Sequence, residues 1–120
     1  ISLLSEQRDL QVLGGTMRLG NYECSLKENS LAHQAYGKSV VNERHRHRYE
    51  FNNAYKEEME TKGLIVSGIL KDSHLCEILE LKSHPWMLGV QFHPEFKSKL
   101  IEPHPLFTSF VKAMIVHNNK

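Results

Sequence analysis

The stretch from Trp86 to Phe92 is a nearly continuous apolar run that ends at His93-Pro94-Glu95. Such a run, without polar alternation, is typical of a strand that is buried on both faces, as in the sheets of layered α/β proteins. Pro94 cannot donate to a sheet ladder, so the strand must stop there. The segment therefore predicts an α/β fold in which a buried strand delivers polar side chains to the edge of a layered sheet.

The rest of the chain alternates strand-like and helix-like segments. The first predicted elements are a strand at Ile1 to Leu4, a charged loop from Glu6 to Gln11, a turn at Gly14-Gly15, and a hairpin or kinked strand pair over Thr16 to Leu26. A helix from Ser30 to Tyr36, a strand from Val40 that becomes irregular towards Phe51, and a helix from Asn52 or Asn53 to Lys62 follow. The last predicted elements are a β-hairpin of Leu64 to Leu70 with Leu75 to Leu81 and a helix from Leu106 to Ile115. Gly37 and Gly63 favour left-handed ends for the first two helices. The apolar positions of the last helix repeat at helical spacing and predict core packing.

Charge and cysteine content limit the partners and the compartment. The 120 residues carry 15 Lys and Arg against 14 Asp and Glu, a formal net charge of +1. This balance predicts no nucleic-acid partner, and no run reaches the roughly 18 apolar residues of a membrane span, so we expect no membrane partner. Cys24 and Cys76 lie far apart and in no CxxC spacing. They favour a reducing compartment and predict a cytoplasmic protein.

The strongest candidate for chemistry is the pair His93 and Glu95. A carboxylate two residues after a histidine can accept a hydrogen bond from its ring, which sets the tautomer and stabilises the imidazolium. The pair therefore forms two thirds of a nucleophile, histidine and acid triad. The alternative is that His93 only caps the strand and that Glu95 is solvated.

A second candidate is the alternating segment Arg44 to Arg48. If it is extended, its arginines share one face and His45 and His47 the other. The basic stripe is compatible with binding of nucleic acid or another anion, and the His-x-His pair with half of a zinc site, although neither cysteine is spaced to complete one. The arginines can also simply pair with Glu43 and Glu50.

Gly14-Gly15 is open to two interpretations. A double glycine before a strand can cradle a phosphate group. The GxxxxGK[ST] pattern is missing, however, and no helix follows directly. A turn that needs a positive φ explains the pair better.

Several motifs together resemble a known family. Gly89 to Phe96, which reads GVQFHPEF, is similar to the signature of class I glutamine amidotransferases. GGTMRLG at 14–20, ERHRHRYEFN at 43–52, HPW at 84–86 and FKS at 96–98 followed by HPLF at 104–107 narrow the resemblance to the CTP synthase family. The similarity extends over most of the chain.

The resemblance implies a Cys, His and Glu triad that hydrolyses L-glutamine, with His93 and Glu95 as the catalytic members in this chain. Its cysteine lies upstream on a glycine-flanked elbow, and neither Cys24 nor Cys76 has flanking glycines. Arg48 occupies the position that contacts the glutamine α-carboxylate, and Tyr49 lines the same pocket. No metal site is implied.

The resemblance also implies that residues 1–120 are the C-terminal portion of a glutamine amidotransferase domain, whose nucleophile elbow and synthase domain lie elsewhere in a parent enzyme. The opening at Ile1, without an initiator methionine, favours a fragment too. The synthase domain uses ATP and Mg²⁺ to aminate UTP to CTP, and the parent is expected to be a homo-oligomer. We expect no cofactor in this segment, no glutamine hydrolysis by it alone, and a layered, mostly parallel sheet with flanking helices and a β-hairpin.

Overall fold

The computed structural model of the chain describes residues 2–3 and 17–119. Within these ranges there are seven strands, β1 (Ser2–Leu3), β2 (Arg18–Leu26), β3 (Val40–His47), β4 (Tyr49–Glu50), β5 (Leu64–Leu70), β6 (Cys76–Leu81) and β7 (Leu88–Val90). There are three α-helices, α1 (Leu31–Tyr36), α2 (Lys56–Thr61) and α3 (Pro105–Asn118), and two 3₁₀ turns, Asn53–Tyr55 and Pro94–Phe96. The predicted Gly14-Gly15 turn and Glu6 to Gln11 loop lie outside the described residues.

The strands form a five-stranded sheet in the order β3-β2-β5-β6-β7 and a two-stranded sheet of β1 and β4. Every described pairing is antiparallel. The helices and sheets together confirm an α/β chain, but the predicted mostly parallel sheet is not confirmed among these residues. The reason is the length of the connections, since the predicted hairpin of β5 and β6 is present and such short links join only antiparallel neighbours.

The segment predicted as a hairpin or kinked pair is one continuous strand. β2 has nine residues and pairs with β3 from Arg18 opposite His47 to Ser25 opposite Val40. Its other edge pairs with β5 over Cys24 to Leu26. A strand of this length places Arg18 at one end of the sheet while Cys24 remains in the core.

The prediction for the apolar run before His93 was wrong in one respect. β7 covers only Leu88–Val90, pairs with β6 alone among the described strands, and has an exposed Gly89. The run is apolar for other reasons. Trp86 packs against Phe110 of α3 with ring centroids 5.1 Å apart, and Phe92 is buried in the core beyond the end of the strand.

The helix ends follow the sequence prediction. Ser30 caps α1 by accepting a hydrogen bond from the His33 amide, and Gly37 ends the helix at φ 68°. Asn52 accepts from the Ala54 amide at the first 3₁₀ turn, and Gly63 follows α2 at φ 100°. These local contacts satisfy backbone groups that a short helix leaves free.

One contact at α1 could not be predicted from its own sequence. The carboxylate of Glu80 in β6 accepts hydrogen bonds from the Leu31 and Ala32 amides at 2.8 and 3.0 Å. A negative charge at a helix N-terminus is favourable, so Glu80 joins the first turn of α1 to the sheet.

The C-terminal helix is present, but its predicted core packing holds for one residue only. Leu106 is buried, whereas the rest of the apolar repeat is between 40% and 57% exposed: Phe107, Phe110, Val111, Met114 and Ile115. Helical spacing shows which side chains share a face, and it does not show what covers that face. No helix in the described ranges has the length and apolarity needed to cross a membrane.

The core lies between the five-stranded sheet and the helices. It consists of Cys24, Leu26, Ala32, Val41, Ile78, Phe92 and Leu106. Both cysteines of the chain are free thiols, as predicted, and are buried at 1% and 2% exposure. They therefore behave as small apolar side chains.

Gly68 of β5 leaves no room for a side chain. A Cβ atom there would lie 2.6 Å from Cγ1 of Ile78 and 2.9 Å from Sγ of Cys24, both fully buried. We expect Gly68→Ala to lower the free energy of unfolding by about 1–3 kcal/mol, because an overpacked core must shift its neighbours. Urea unfolding of the purified protein measures the change. Gly89→Ala is the control, since nothing lies within 4 Å of its Cβ position, and equal effects of the two substitutions would contradict the packing argument.

Candidate active site

His93 and Glu95 are in direct contact. The 3₁₀ turn Pro94–Phe96 follows His93 immediately, and this turn brings the Glu95 carboxylate back to the ring. The distance from Nδ1 of His93 to Oε1 of Glu95 is 2.6 Å. Both side chains stay accessible, at 38% and 55% exposure. The pair can therefore act on a group outside the described residues.

The protonation pattern of this pair follows from its geometry. A carboxylate only accepts hydrogen bonds, so Nδ1 of His93 carries the proton, which leaves Nε2 to take up or give a proton in a reaction. The hydrogen bond from His93 lowers the pKa of Glu95 below its usual value. Phe96 stacks on the imidazole with centroids 4.8 Å apart. Sequence reasoning missed this role of Phe96, although the residue lies inside the signature that it used.

β3 connects the His93 loop to the basic segment. The His93 amide donates to the Arg44 carbonyl at 2.9 Å. Along β3, Arg44 and Arg46 are exposed, whereas His45 is buried and His47 partly buried, which is the predicted division of faces. The strand thus carries two chemically different surfaces.

The two residues predicted to bind glutamine lie just beyond β3. Arg48 forms the bend between β3 and β4, and its side chain is exposed. Tyr49 opens β4 and is 57% exposed. No hydrogen bond joins either side chain to His93 within residues 17–119. β3 connects the two predicted pairs, His93 with Glu95 and Arg48 with Tyr49. The His93 amide bonds to Arg44 in this strand, and Arg48 directly follows its last residue.

The suggested pairing of the arginines with neighbouring glutamates was wrong. Glu43 instead accepts hydrogen bonds from the Tyr36 hydroxyl at 2.9 Å and from Nε2 of His104 at 2.7 Å. Glu50 pairs with Arg18 at 2.8 Å. Glu43 and Glu50 are buried. Because alternate residues of a strand point to opposite faces, Glu43 lies across β3 from Arg44.

A buried charge cluster lies beside β3, and sequence reasoning missed it. Arg18 is 4% exposed and contacts Glu50 at 2.8 Å and Glu77 at 2.6 Å. Its guanidinium also lies 4.5 Å from the centre of the Tyr22 ring. Burial would lower the pKa of Arg18, but the hydrogen bond and charge of Glu50 and the charge of Glu77 raise it overall. Glu50 and Glu77 lie 32 and 59 positions after Arg18, so the sequence has no local signal of such a cluster.

His45, His47 and Glu77 come together on the buried side of β3. Their candidate ligand atoms all lie within 4.8 Å of one another. This is the grouping that the zinc hypothesis required. However, Nδ1 of His45 and Nε2 of His47 contact each other at 2.8 Å, and Arg18 holds Glu77. A cation would therefore have to break the contact between the two histidines and share the site with a guanidinium.

The other two histidines that precede prolines have structural roles. Nδ1 of His104 accepts from the Leu106 amide at 3.1 Å and caps α3, so Nε2 carries the proton donated to Glu43. Nδ1 of His84 accepts from the Trp86 amide in an exposed turn. The His-Pro dipeptide alone therefore does not mark a reactive histidine.

Neither cysteine is suited to act as a nucleophile. Burial raises the pKa of Cys24 to about 12, and it raises the pKa of Cys76 to about 12 as well. Both thiols stay protonated at neutral pH, and reactivity requires the thiolate. If the His93 and Glu95 pair serves a thiol, that thiol belongs to a residue outside this sequence.

Comparison with known proteins assigns the chain to a family. Residues 4–113 match the sequence profile of the family described as glutamine amidotransferase class-I. A CTP synthase from Protochlamydia amoebophila is 66% identical over 118 residues, which are 98% of this chain and 22% of the relative. A CTP synthase from Geobacter metallireducens is 57% identical over 120 residues, 100% of this chain and 22% of the relative.

A solved structure is similar as well. It is described as the glutaminase domain of CTPS from Trypanosoma brucei with bound acivicin. It superimposes with a TM-score of 0.82 at 35% sequence identity, over 90% of this chain and 43% of the other. The chain spans about a fifth of the length of the curated relatives it matches.

Proposed function

Because the chain belongs to the class I glutamine amidotransferase family, we propose that it forms the part of a CTP synthase glutaminase domain that supplies the catalytic histidine and its carboxylate. The observation that carries the proposal is the 2.6 Å contact between His93 and Glu95 on an exposed turn. The chain's motifs and its 54–66% identity to CTP synthases support this branch of the family.

In the proposed reaction, a cysteine outside the 120 residues attacks the side-chain amide of glutamine. Nε2 of His93 takes the thiol proton as the sulfur attacks and delivers it to the departing ammonia. It then takes a proton from the water that hydrolyses the thioester and returns it to the thiolate that leaves. Glu95 accepts from Nδ1 throughout, keeps the ring oriented and stabilises it when it is charged. Phe96 restricts the same ring by stacking. The lowered pKa of Glu95 suits this role because the carboxyl stays ionised.

We assign glutamine binding to Arg48 and Tyr49. A guanidinium presents two N–H groups that match a carboxylate, so Arg48 is suited to hold the α-carboxylate of glutamine. The exposure of its side chain at the bend after β3 leaves it available to a ligand. The bound acivicin of the similar structure, which is a glutamine analogue, supports a glutamine pocket in this kind of domain.

The whole enzyme is proposed to pass ammonia to a separate synthase domain that uses ATP and Mg²⁺ to convert UTP to CTP. We propose a homo-oligomeric parent enzyme, and a cytoplasmic location that the two free cysteines favour. The mostly parallel sheet stays a prediction, since every strand pairing among the described residues is antiparallel.

Substitution of Arg48 tests the pocket. In the full-length enzyme we expect Arg48→Ala to raise the KM for glutamine roughly 10- to 100-fold, because a charged hydrogen bond to the carboxylate is lost. Arg48→Lys should recover only part of the loss, since an ammonium lacks the planar fork. Activity with supplied ammonia should not change. Steady-state kinetics with each nitrogen source measure both effects.

Lys38→Ala is the matched control for Arg48, because it removes an exposed cation just before β3. It should leave the KM for glutamine unchanged. An unaltered KM in Arg48→Ala would remove Arg48 from the proposed pocket, and an equal loss with ammonia would point to a folding defect instead.

A further inference from the structure

The bend that carries Arg48 is closed by a side chain. His47 lies immediately before Arg48, and its Nδ1 is 3.0 Å from the carbonyl oxygen of Tyr49, immediately after. A carbonyl oxygen only accepts, so Nδ1 of His47 carries a proton and donates it. This hydrogen bond links the residues on either side of Arg48 and therefore restricts the direction in which Arg48 leaves the backbone.

The tautomer of His47 determines that of its neighbour. With the proton on Nδ1, the Nε2 atom of neutral His47 is an acceptor. Nδ1 of His45 lies 2.8 Å from it and must donate. Nε2 of His45 is then an acceptor too, and it points to Oε2 of Glu77 at 3.5 Å. Two acceptors facing each other in a buried site need a proton between them, which the carboxyl group of Glu77 can supply.

Burial supports a proton at this position. Glu77, 1% exposed, lies on β6 and His45, 2% exposed, lies on β3. Apart from each other, Nε2 of His45 and Oε2 of Glu77 have no hydrogen-bond partner among residues 17–119. Burial raises the pKa of Glu77 to about 7 and lowers the pKa of His45 to about 3. The carboxyl group thus keeps its proton over more of the pH range than a solvated one, whereas the imidazole stays neutral.

Other charges face the same groups. Arg18 from β2 contacts Glu77, and Glu50 from β4 lies 3.4 Å from Nδ1 of His47. The Glu50 carboxylate also favours a proton on Nδ1 of His47. A positive charge on His93 would lower the pKa of both His45 and His47. Arg18 favours the ionised form of Glu77 and opposes this order of donors, but burial outweighs it and keeps the pKa of Glu77 raised.

The same groups also contact the catalytic side of the site. The His45 ring lies edge-on to Phe92, with centroids 5.7 Å apart, and Phe92 directly precedes His93. The His93 amide bonds to the Arg44 carbonyl, directly before His45. One buried imidazole thus lies against both the histidine loop and the bend that carries Arg48.

We infer that Glu77, His45 and His47 form a directed hydrogen-bonded chain that positions Arg48 for the carboxylate of glutamine, an inference that rests on the proposed function. The three are positioning residues and do not touch the substrate. The chain runs from the Glu77 hydroxyl through both imidazoles to the Tyr49 carbonyl. Its effect is on the affinity for glutamine, and the chemical step at His93 is unaffected.

The test is carried out in the full-length enzyme with His47→Phe, which keeps a ring but removes both nitrogens. We expect the KM for glutamine to rise about 3- to 10-fold, with kcat and ammonia-dependent activity within two-fold, because one hydrogen bond at the bend is lost. His47→Asn should restore most of the KM, since its amide can still donate to the Tyr49 carbonyl. His47→Gln, whose amide extends towards His45 instead, should not. The control is His117→Phe, at an exposed position of α3.

Two further measurements separate positioning from a general structural role. In an Arg48→Ala background, His47→Phe should cause no additional rise in KM, because the residue it positions is absent. Glu77→Gln keeps an N–H donor towards His45 and should leave the KM within two-fold, whereas Glu77→Leu should raise it. An additive effect, or equal KM values for the Asn and Gln variants, would overturn the inference. So would stoichiometric zinc in the purified enzyme.

The hydrogen bonds between these side chains can be observed directly, without an activity assay. In ¹⁵N-histidine-labelled protein, His45 and His47 should both show the neutral tautomer protonated at Nδ1. The opposite tautomer at either residue would overturn the inference and leave the proposed function intact. If Arg48→Ala leaves the KM for glutamine unchanged, the binding role of Arg48 fails and the positioning claim fails with it, although the tautomers would still report the hydrogen bonds.

Discussion

His93→Ala in the full-length enzyme should lower glutamine-dependent CTP formation by about 10²- to 10⁴-fold, the range for loss of a general acid–base group. Activity with supplied ammonia should stay at the wild-type level, since ammonia bypasses the hydrolysis of glutamine. The physical reason is the single nitrogen that the 2.6 Å bond to Glu95 leaves available for proton transfer. Rates of CTP formation with glutamine and with ammonium salts measure the two activities.

His84→Ala is the matched control because His84 also precedes a proline and is exposed, but it only accepts a hydrogen bond from the Trp86 amide. Both activities should survive that substitution. If His93→Ala reduces both activities equally, His93 has a structural role. If it reduces neither, the catalytic assignment is wrong.

Arg18→Met should lower the free energy of unfolding by about 3–5 kcal/mol near pH 8, because it leaves two buried carboxylates without their cation. Glu50 and Glu77 lie 2.8 and 2.6 Å from the guanidinium, with side chains almost fully buried. Methionine keeps much of the volume, so the loss reports mainly on charge. Urea unfolding of the purified protein gives the value. The control is Arg46→Met, at an exposed position of β3, which should change the free energy of unfolding by less than about 0.5 kcal/mol.

The pH dependence follows from Glu77. Burial raises its pKa to about 7 in the folded protein, above the ordinary value of 4.5. The folded state therefore binds more protons between these values, so the stabilising contribution of protonated Glu77 is complete below pH 4.5 and declines as the pH rises through 7. Without Arg18 the ionised form is disfavoured further. The destabilisation by Arg18→Met should thus be larger at pH 8 than at pH 5.5, and a larger loss at pH 5.5 would contradict this assignment of the proton.

Local signals in the sequence predicted several elements correctly. Ser30, Asn52 and the glycines after α1 and α2 act within a few residues, and the hairpin of β5 and β6 depends on a short turn. The contact between His93 and Glu95 is local as well, because the intervening proline starts a 3₁₀ turn that returns the carboxylate to the ring. The structure confirms these predictions because each depends on neighbouring residues.

Predictions that depended on residues far apart in the sequence were wrong or incomplete. The direction of the strands was not recognised, since apolar runs do not show which strands pair. The partners of Glu43 and Glu50 were wrong because His104 and Arg18 lie 61 and 32 positions away. The apolar face of α3 was assigned to the core, although its spacing shows only that those side chains share one side.

The sequence by itself determined the helix caps, the hairpin, the two faces of β3 and the contact between His93 and Glu95, since periodicity and short-range hydrogen bonds depend on consecutive residues. Only the tertiary structure decided that Arg18, Glu77 and the two histidines of β3 share a buried cluster beneath the bend at Arg48. Side chains that are far apart in the chain meet only when strands pair, and burial then sets their charges and the direction of their hydrogen bonds.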